Sequence, residues 1–240
     1  MLKKQAMIIL YIPFSRDEAG DLPSGAALWK TNHRVSSQER LKVIYHQDDY
    51  SPDLISPESK VYILAHGYEE KPTVVANCAE ASQAIFLDME TVTKRFEYDL
   101  LVIAPFITTV HTYFCGSQKN NYERASTFQT QWLRSEQAPI HYYAGNLATP
   151  DRNGFFWAQS NSEYVPLTRC CHTLNPTSIE EEGPKRRNIK MEKISAMFAH
   201  HYEKKRESFF TQTKENRQDL IALYRNSDES IPVLPENCSL

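Results

Sequence analysis

Short apolar runs recur along the first 145 residues, each four to eight residues long and bounded by polar or turn-forming positions. Runs of this length, rich in Val, Ile, Tyr and Phe, are typical of buried β-strands. They predict five strands, at residues 6–12 (AMIILYI), 40–47 (RLKVIYHQ), 60–66 (KVYILAH), 108–114 (TTVHTYF) and 139–145 (PIHYYAG). A sixth and a seventh run, GFFWAQ and EYVPLTR, flank the tripeptide SNS and predict a hairpin.

The segments between these strands alternate between loop-like and helix-like patterns. Residues 13–37 contain the turn-rich stretch SRDEAGDLPSG and are expected to form a loop. Residues 72–102 carry apolar positions at helical spacing and predict one long crossover helix, and residues 123–136 predict another helix. Strands that alternate with helices indicate an α/β fold with a mostly parallel sheet between layers of helices.

The character of the chain changes after about residue 176. A turn at Gly183 and Pro184 precedes a charged segment whose apolar residues, including Ile194, Met197 and Phe198, recur at helical spacing. We therefore divide the chain into a catalytic-type domain, 1–176, and a C-terminal helical extension and tail, 177–240. A basic cluster opens this extension, at Lys185, Arg186, Arg187, Lys190 and Lys193.

Charge and cysteine content narrow the possible partners. The formal net charge is -3, which gives no overall attraction to nucleic acid or to a membrane surface. Five scattered cysteines lack the paired spacing of zinc sites or disulfide scaffolds, so we expect neither metal nor cofactor. We expect a reducing, cytoplasmic compartment, with delivery into a host cytosol as a second route, because the apolar N-terminal run lacks a signal-peptide cleavage site. Oligomeric state is open.

Two of the predicted strands end on residues that carry chemistry. VYILAHG stops at His66 and Gly67, and VHTYFCGS stops at Cys115 and Gly116. Because one crossover joins these parallel strands, we expect His66 and Cys115 at the same edge of the sheet. The chain lacks the Cys-x5-Arg spacing of a phosphatase loop, since the first arginine after Cys115 is Arg124, and it lacks the G-x-S-x-G elbow of an α/β-hydrolase.

These two blocks, with the histidine before the cysteine, resemble the caspase-like superfamily of cysteine peptidases, clan CD, and its bacterial-type relatives. The resemblance covers about residues 1–170. It implies a caspase-like three-layer fold and a catalytic dyad of His66 and Cys115. It also implies that the amides of Gly67 and Cys115 form the oxyanion hole. The residue before the nucleophile is Phe114, where the family commonly carries an acidic, small or glutamine residue.

Physical chemistry gives these residue types a role independent of the resemblance. An imidazole and a helix N-terminus both favour the reactive thiolate. Glycine at positions 67 and 116 lets a substrate backbone approach closely, so we also assign Gly116 to substrate binding. In the loop after the first strand, Arg16 would select an acidic side chain, whereas Asp17, Glu18 or Asp21 would select a basic one.

Two functions of different classes follow. The first is a cysteine endopeptidase that cleaves a protein or peptide substrate, which includes the chain itself, without cofactor, nucleic acid or membrane. The second is a catalytically inactive binding module of the same fold that acts through its basic C-terminal helix. The first predicts that one cysteine reacts with alkylating reagents much faster than the other four, and the second predicts uniformly slow labelling.

Overall fold

A computed structural model of the chain describes residues 7–36, 40–52, 55, 56, 58–160, 162–176 and 184–228. The strands in these ranges are β1 (Met7–Ile12), β2 (Arg40–Tyr45), β3 (Ser59–Leu64), β4 (His66–Tyr68), β5 (Lys71–Ala76), β6 (Phe86–Asp88), β7 (Ile107–Tyr113), β8 (Ile140–Tyr143), β9 (Asn146–Leu147), β10 (Trp157–Ser160), β11 (Glu163–Pro166) and β12 (Cys171–Leu174). The α-helices are α1 (Leu22–Ser36), α2 (Met89–Asp99), α3 (Gln118–Gln131) and α4 (Pro184–Asp228). Single 3-10 turns lie at Arg16–Glu18, Ala104–Phe106 and Leu167–Arg169.

The central sheet has six strands in the order β12-β8-β7-β3-β1-β2. The first five strands of the chain to enter it, β1, β2, β3, β7 and β8, run parallel, and β12 pairs antiparallel with β8. The predicted α/β class with a mostly parallel sheet is therefore confirmed. So is the adjacency of the third and fourth predicted strands, since β3 and β7 are hydrogen-bonded neighbours.

Helices cover both faces of this sheet. Tyr62 and Ile63 are successive residues of β3, so their side chains point to opposite faces. Trp29 of α1 packs on the face of Tyr62, with ring centroids 5.1 Å apart. Tyr11 lies opposite Ile63 in the register and packs on Phe96 of α2, with centroids 5.6 Å apart. Phe96 also contacts Phe128 of α3. The sheet is thus sandwiched between α1 on one face and α2 with α3 on the other.

The predicted crossover helix at residues 72–102 is wrong over its first half. The chain instead forms a small antiparallel sheet, β4-β5-β6, and α2 begins only at Met89. Asp88 marks the start of the helix because its carboxylate accepts a hydrogen bond from the amide of Thr91 at 2.6 Å. The β-branched Val74 and Val75 favour a strand and pair with β6. Cys78, which falls within the predicted helix, lies instead in a loop and is partly exposed.

The predicted loop at residues 13–37 is also wrong, because most of it forms α1. Leu22, Ala26 and Trp29 recur at i, i+4 and i+7 and are all buried. The turn-forming residues of DLPSG favoured a loop over this helical pattern of apolar residues, although proline is well tolerated in the first turn of a helix.

The predicted hairpin and the predicted C-terminal helix agree with the structure where residues are described. β10 and β11 form the predicted antiparallel hairpin. The predicted long helix is α4, while Gly183 and the side chains at 185–187 lie outside the described set. Contacts divide the chain into two units with the boundary between Lys190 and Met191. None of the described helices has an apolar stretch long enough to cross a membrane.

Candidate active site

His66 and Cys115 lie together at the carboxyl ends of neighbouring strands. The first strand ends two residues earlier than predicted, at Leu64, and the second ends one residue earlier, at Tyr113. His66 therefore opens β4, and Cys115 lies in the loop before α3. Both residues line a single cavity of about 280 Å³. The parallel pairing of Leu64 with Tyr113 brings the two strand ends to the same edge. The structure therefore brings together the two residues that the sequence singled out.

The two glycine-containing motifs are in direct backbone contact at Gly67. A Cβ atom added to Gly67 would lie 1.9 Å from the carbonyl oxygen of Cys115. No side chain fits at that separation without moving one backbone away from the other. Glycine at this position is thus required for the loop that carries the histidine to pack against the loop that carries the cysteine.

Asp21 completes the site, and the sequence did not assign it this role. Its Oδ1 lies 2.5 Å from Nε2 of His66, and its Oδ2 accepts a hydrogen bond from the amide of Ala79 at 2.9 Å. Burial raises the pKa of Asp21, but the Ala79 amide and His66 outweigh it and lower this pKa below its ordinary value. The ionised carboxylate thus favours the His66 tautomer that carries its proton on Nε2, which leaves the lone pair on Nδ1.

No local pattern could have revealed this partnership. Asp21 stands 45 residues before His66, in a stretch with three other charged side chains. The sequence identified Asp21 only as one of several carboxylates that could select a basic substrate. The choice among them depends on where α1 begins, which the sequence analysis did not find.

The Cys115 thiol lies in a mixed environment. Burial raises its pKa, whereas a hydrogen bond from the amide of Leu147, 3.3 Å from Sγ, and the positive charge of Arg124 act to lower it. The net shift is upward. Because the pKa is raised, the Cys115 thiol is protonated at neutral pH and needs a base to react. Helix α3 begins at Gln118, five residues earlier than predicted, with Ser117 as its N-cap.

A buried polar layer supports the loop of Cys115 from behind. Arg124 of α3 is fully buried and donates hydrogen bonds to the carbonyl oxygens of Tyr68, Lys71, Val74 and Cys115. Its Nη1 also donates to Oδ1 of Asn121 at 2.6 Å. One guanidinium thus joins α3, the β4-β5 hairpin and the cysteine loop. The sequence analysis used Arg124 only to exclude a phosphatase loop.

Asn121 holds the same loop against the neighbouring strand. Its side-chain amide donates to the carbonyl oxygens of Phe114 at 2.9 Å and Tyr143 at 2.7 Å. Phe114 itself is fully buried, so its departure from the family pattern places a ring in the core rather than in the cavity. The only signal of this buried polar layer in the sequence is the spacing of Asn121 and Arg124, which lie three residues apart on α3.

The backbone amides near Cys115 differ in their availability. The amide of Gly116 donates to the carbonyl of Gly145 at 3.1 Å, and Gly116 adopts φ +143°, which favours glycine. Within the described ranges, the amide of Cys115 has no hydrogen-bond partner. Gly67 pairs with Val75 across the hairpin. The Cys115 amide is therefore free to bind an oxyanion, whereas the Gly116 amide is occupied.

The residues expected to select the substrate lie elsewhere. Arg16 donates to both carboxylate oxygens of Asp48, at 2.7 and 2.8 Å, and its guanidinium lies over the ring of Tyr45. Asp17 is exposed in the adjacent 3-10 turn. Neither residue lines the cavity that contains His66 and Cys115. The structure thus does not bring Arg16 or Asp17 to the predicted site.

A second group of histidines and cysteines lies on the sheet. His111 of β7 donates to or accepts from the Tyr143 hydroxyl at 2.5 Å, and burial lowers its pKa to about 3. Nδ1 of His141 lies 3.9 Å from Sγ of Cys171. Among the described residues, no group of three or more His, Cys, Asp or Glu side chains is arranged to hold a metal ion. The group is a hydrogen-bonded and stacked part of the sheet.

Two comparisons with known proteins were made. No family model matches the chain. A search of curated proteins found no significant match.

Proposed function

We propose that this chain is a cysteine endopeptidase of the caspase-like superfamily. The observation that carries the proposal is the convergence of Asp21, His66 and Cys115 on one cavity. A carboxylate, an imidazole and a thiol in that order are the elements of nucleophilic catalysis with an oriented base. The position of the cavity at the carboxyl ends of parallel strands agrees with where α/β folds bind ligands.

The proposed reaction proceeds through a thioester. His66 takes the thiol proton on Nδ1 as Cys115 Sγ attacks the carbonyl carbon of the scissile peptide bond. The amide of Cys115 binds the developing oxyanion. His66 then gives its proton to the leaving amine as the C–N bond breaks. Water, deprotonated by His66, hydrolyses the thioester and releases the acid and the free thiol.

The raised pKa of Cys115 distinguishes this mechanism from one with a preformed ion pair. A thiol that stays protonated at rest reacts slowly with electrophiles, because only a small fraction of it is thiolate. The proton then moves only when a bound substrate brings its carbonyl carbon to Sγ. Asp21 assists by stabilising the imidazolium that forms at that moment, so the base and its carboxylate act as one unit.

The direct test is a set of alanine variants. We expect Cys115→Ala and His66→Ala each to abolish hydrolysis of a fluorogenic peptide library while circular dichroism stays unchanged. The double variant should lose little beyond either single one, because the two residues act together. Cys171→Ala is the matched control and should retain activity. Near-normal turnover by His66→Ala would refute the dyad.

The inactive binding module remains the second hypothesis, and one observation favours it. Burial holds the resting thiol of Cys115 in its protonated form, which a chain without catalysis would tolerate. The peptide library separates the two hypotheses, since the module predicts no Cys115-dependent cleavage. It also predicts that a partner binds α4, whose described side chains from 188 onward are half-buried or exposed.

A further inference from the structure

The cavity beside Cys115 has mostly apolar walls. These come from α1, from the ends of β3 and β7 and from β9, at Leu22, Ala26, Leu64, Ala65, Tyr113 and Leu147. Among the described residues that line it there is no lysine or arginine, and Asp21 is its single carboxylate. Both oxygens of Asp21 are already engaged, with His66 and with the amide of Ala79. Apart from His66, which the proposed mechanism uses as the base, the walls therefore offer no partner to a charged side chain.

Gly25 is an unusual residue for its place in α1. A glycine inside a helix costs about 0.5–1 kcal/mol relative to alanine. The structure shows no steric need for it, because an added Cβ would meet only Cγ2 of Thr149, at 3.9 Å. Gly25 is also absent from the residues with positive φ. Neither backbone conformation nor crowding explains a glycine at this position.

The cavity does explain it. Gly25 and Thr149 both line the cavity, so a side chain at position 25 would extend toward Thr149 into the space beside Cys115. The missing side chain keeps this space open. The fold thus accepts a less stable helix where a larger residue would fill the cavity.

We propose that this cavity binds an apolar side chain, that of the substrate residue immediately before the scissile bond, and that Gly25 determines how large that side chain can be. The assignment rests on the proposed function, which puts the scissile carbonyl at Sγ of Cys115. The side chain next to that carbonyl is the one that reaches walls shared with Cys115. Burial of a leucine-sized side chain against them supplies the selectivity.

The test uses reagents that report binding without requiring turnover. N-acetyl-aminoacyl chloromethyl ketones carrying leucine, alanine, aspartate or lysine alkylate a thiol, forming a C–S bond as chloride leaves and the thiol proton passes to solvent. Iodoacetamide, which has no side chain, is the reference. We expect the leucine reagent to modify Cys115 at least about tenfold faster than the aspartate and lysine reagents, relative to iodoacetamide.

Two variants of the full chain make the test specific to Gly25. In Gly25→Leu the new side chain fills the cavity, so labelling by the leucine reagent should fall by about tenfold or more while iodoacetamide labelling stays unchanged. The alanine reagent should then be preferred. Gly25→Ala, which is compatible with the helix and adds one carbon, should give the same change in weaker form.

The outcomes separate this inference from the proposed function. Faster labelling by a charged reagent, an unchanged leucine preference in both variants, or no labelling of Cys115 by any side-chain reagent would overturn the inference. Failure of the proposed function gives a different result. The wild-type chain would then show the leucine preference in labelling but no Cys115-dependent peptide cleavage.

Discussion

At the scale of single residues, the contact between Asp21 and His66 makes the first prediction. Asp21→Asn keeps the size of the side chain but removes the charge that orients the imidazole and stabilises its protonated form. We expect peptide hydrolysis to fall by about a hundredfold or more, with KM little changed. Steady-state kinetics on the best library peptide measures this.

A matched control removes a carboxylate that lies outside the cavity. Glu163 is exposed on β11, so Glu163→Gln changes the net charge by the same amount and should retain wild-type kinetics. Equal kinetics for Asp21→Asn and the wild-type chain would mean that the carboxylate is only a surface partner of His66.

The environment of Cys115 makes a second prediction, on pH dependence. Burial raises the pKa of its thiol, and only the thiolate reacts with iodoacetamide. The labelling rate of Cys115 in the folded chain should therefore rise at a higher pH than that of an ordinary thiol, which titrates near about 8.5. In urea the same cysteine should titrate at the ordinary value. Mass spectrometry of the modified peptide follows each rate, and a profile shifted to lower pH would indicate a preformed thiolate.

At the scale of elements, the packing of the β4-β5 hairpin on the cysteine loop makes a third prediction. Gly67→Ala adds a Cβ 1.9 Å from the carbonyl oxygen of Cys115, so the two backbones must separate. We expect a loss of about 1–3 kcal/mol in the free energy of unfolding, together with loss of hydrolysis. Urea denaturation measures the stability.

Gly25→Ala is the matched glycine control for this stability measurement. The added Cβ has room, since its nearest neighbour is Cγ2 of Thr149 at 3.9 Å. Because alanine favours the helix over glycine, the free energy of unfolding should increase by up to about 1 kcal/mol. Equal effects of the two substitutions would show that the contact at Gly67 is not tight in solution.

The elements also show what an apolar pattern can and cannot predict. The strands β1, β2, β3, β7 and β8 were found because each lies in a short run rich in apolar and β-branched residues. Residues 72–88 were misassigned because Val75 and Ala79 extend, by number alone, the helical spacing of the apolar residues in α2. Pairing with β4 decides between strand and helix there, and that partner is not local.

At the scale of the whole molecule, the division of the chain at Lys190 makes the last prediction. All residues of the candidate active site precede this boundary. A chain that ends at Lys190 should therefore retain hydrolysis. Loss of the apolar side chains at Ile194, Met197 and Phe198 should affect solubility or melting temperature first. Thermal denaturation and the peptide assay, run on both lengths, compare the two effects.

The opposite pattern would support the binding module. If the shortened chain keeps its melting temperature but no longer binds a partner that the full chain captures, the working surface lies on α4. The site before Lys190 would then serve only as a scaffold.

The sequence by itself determined the five parallel strands of the central sheet, the α/β class and the placement of His66 and Cys115 after two adjacent parallel strands. These features depend on runs of neighbouring residues and on the topological rules that connect them. The partner of His66, the environment of the thiol, the buried contacts of Arg124 and the open space at Gly25 were decided only by the tertiary structure. Each joins segments tens of residues apart, and such contacts depend on packing that no local pattern encodes.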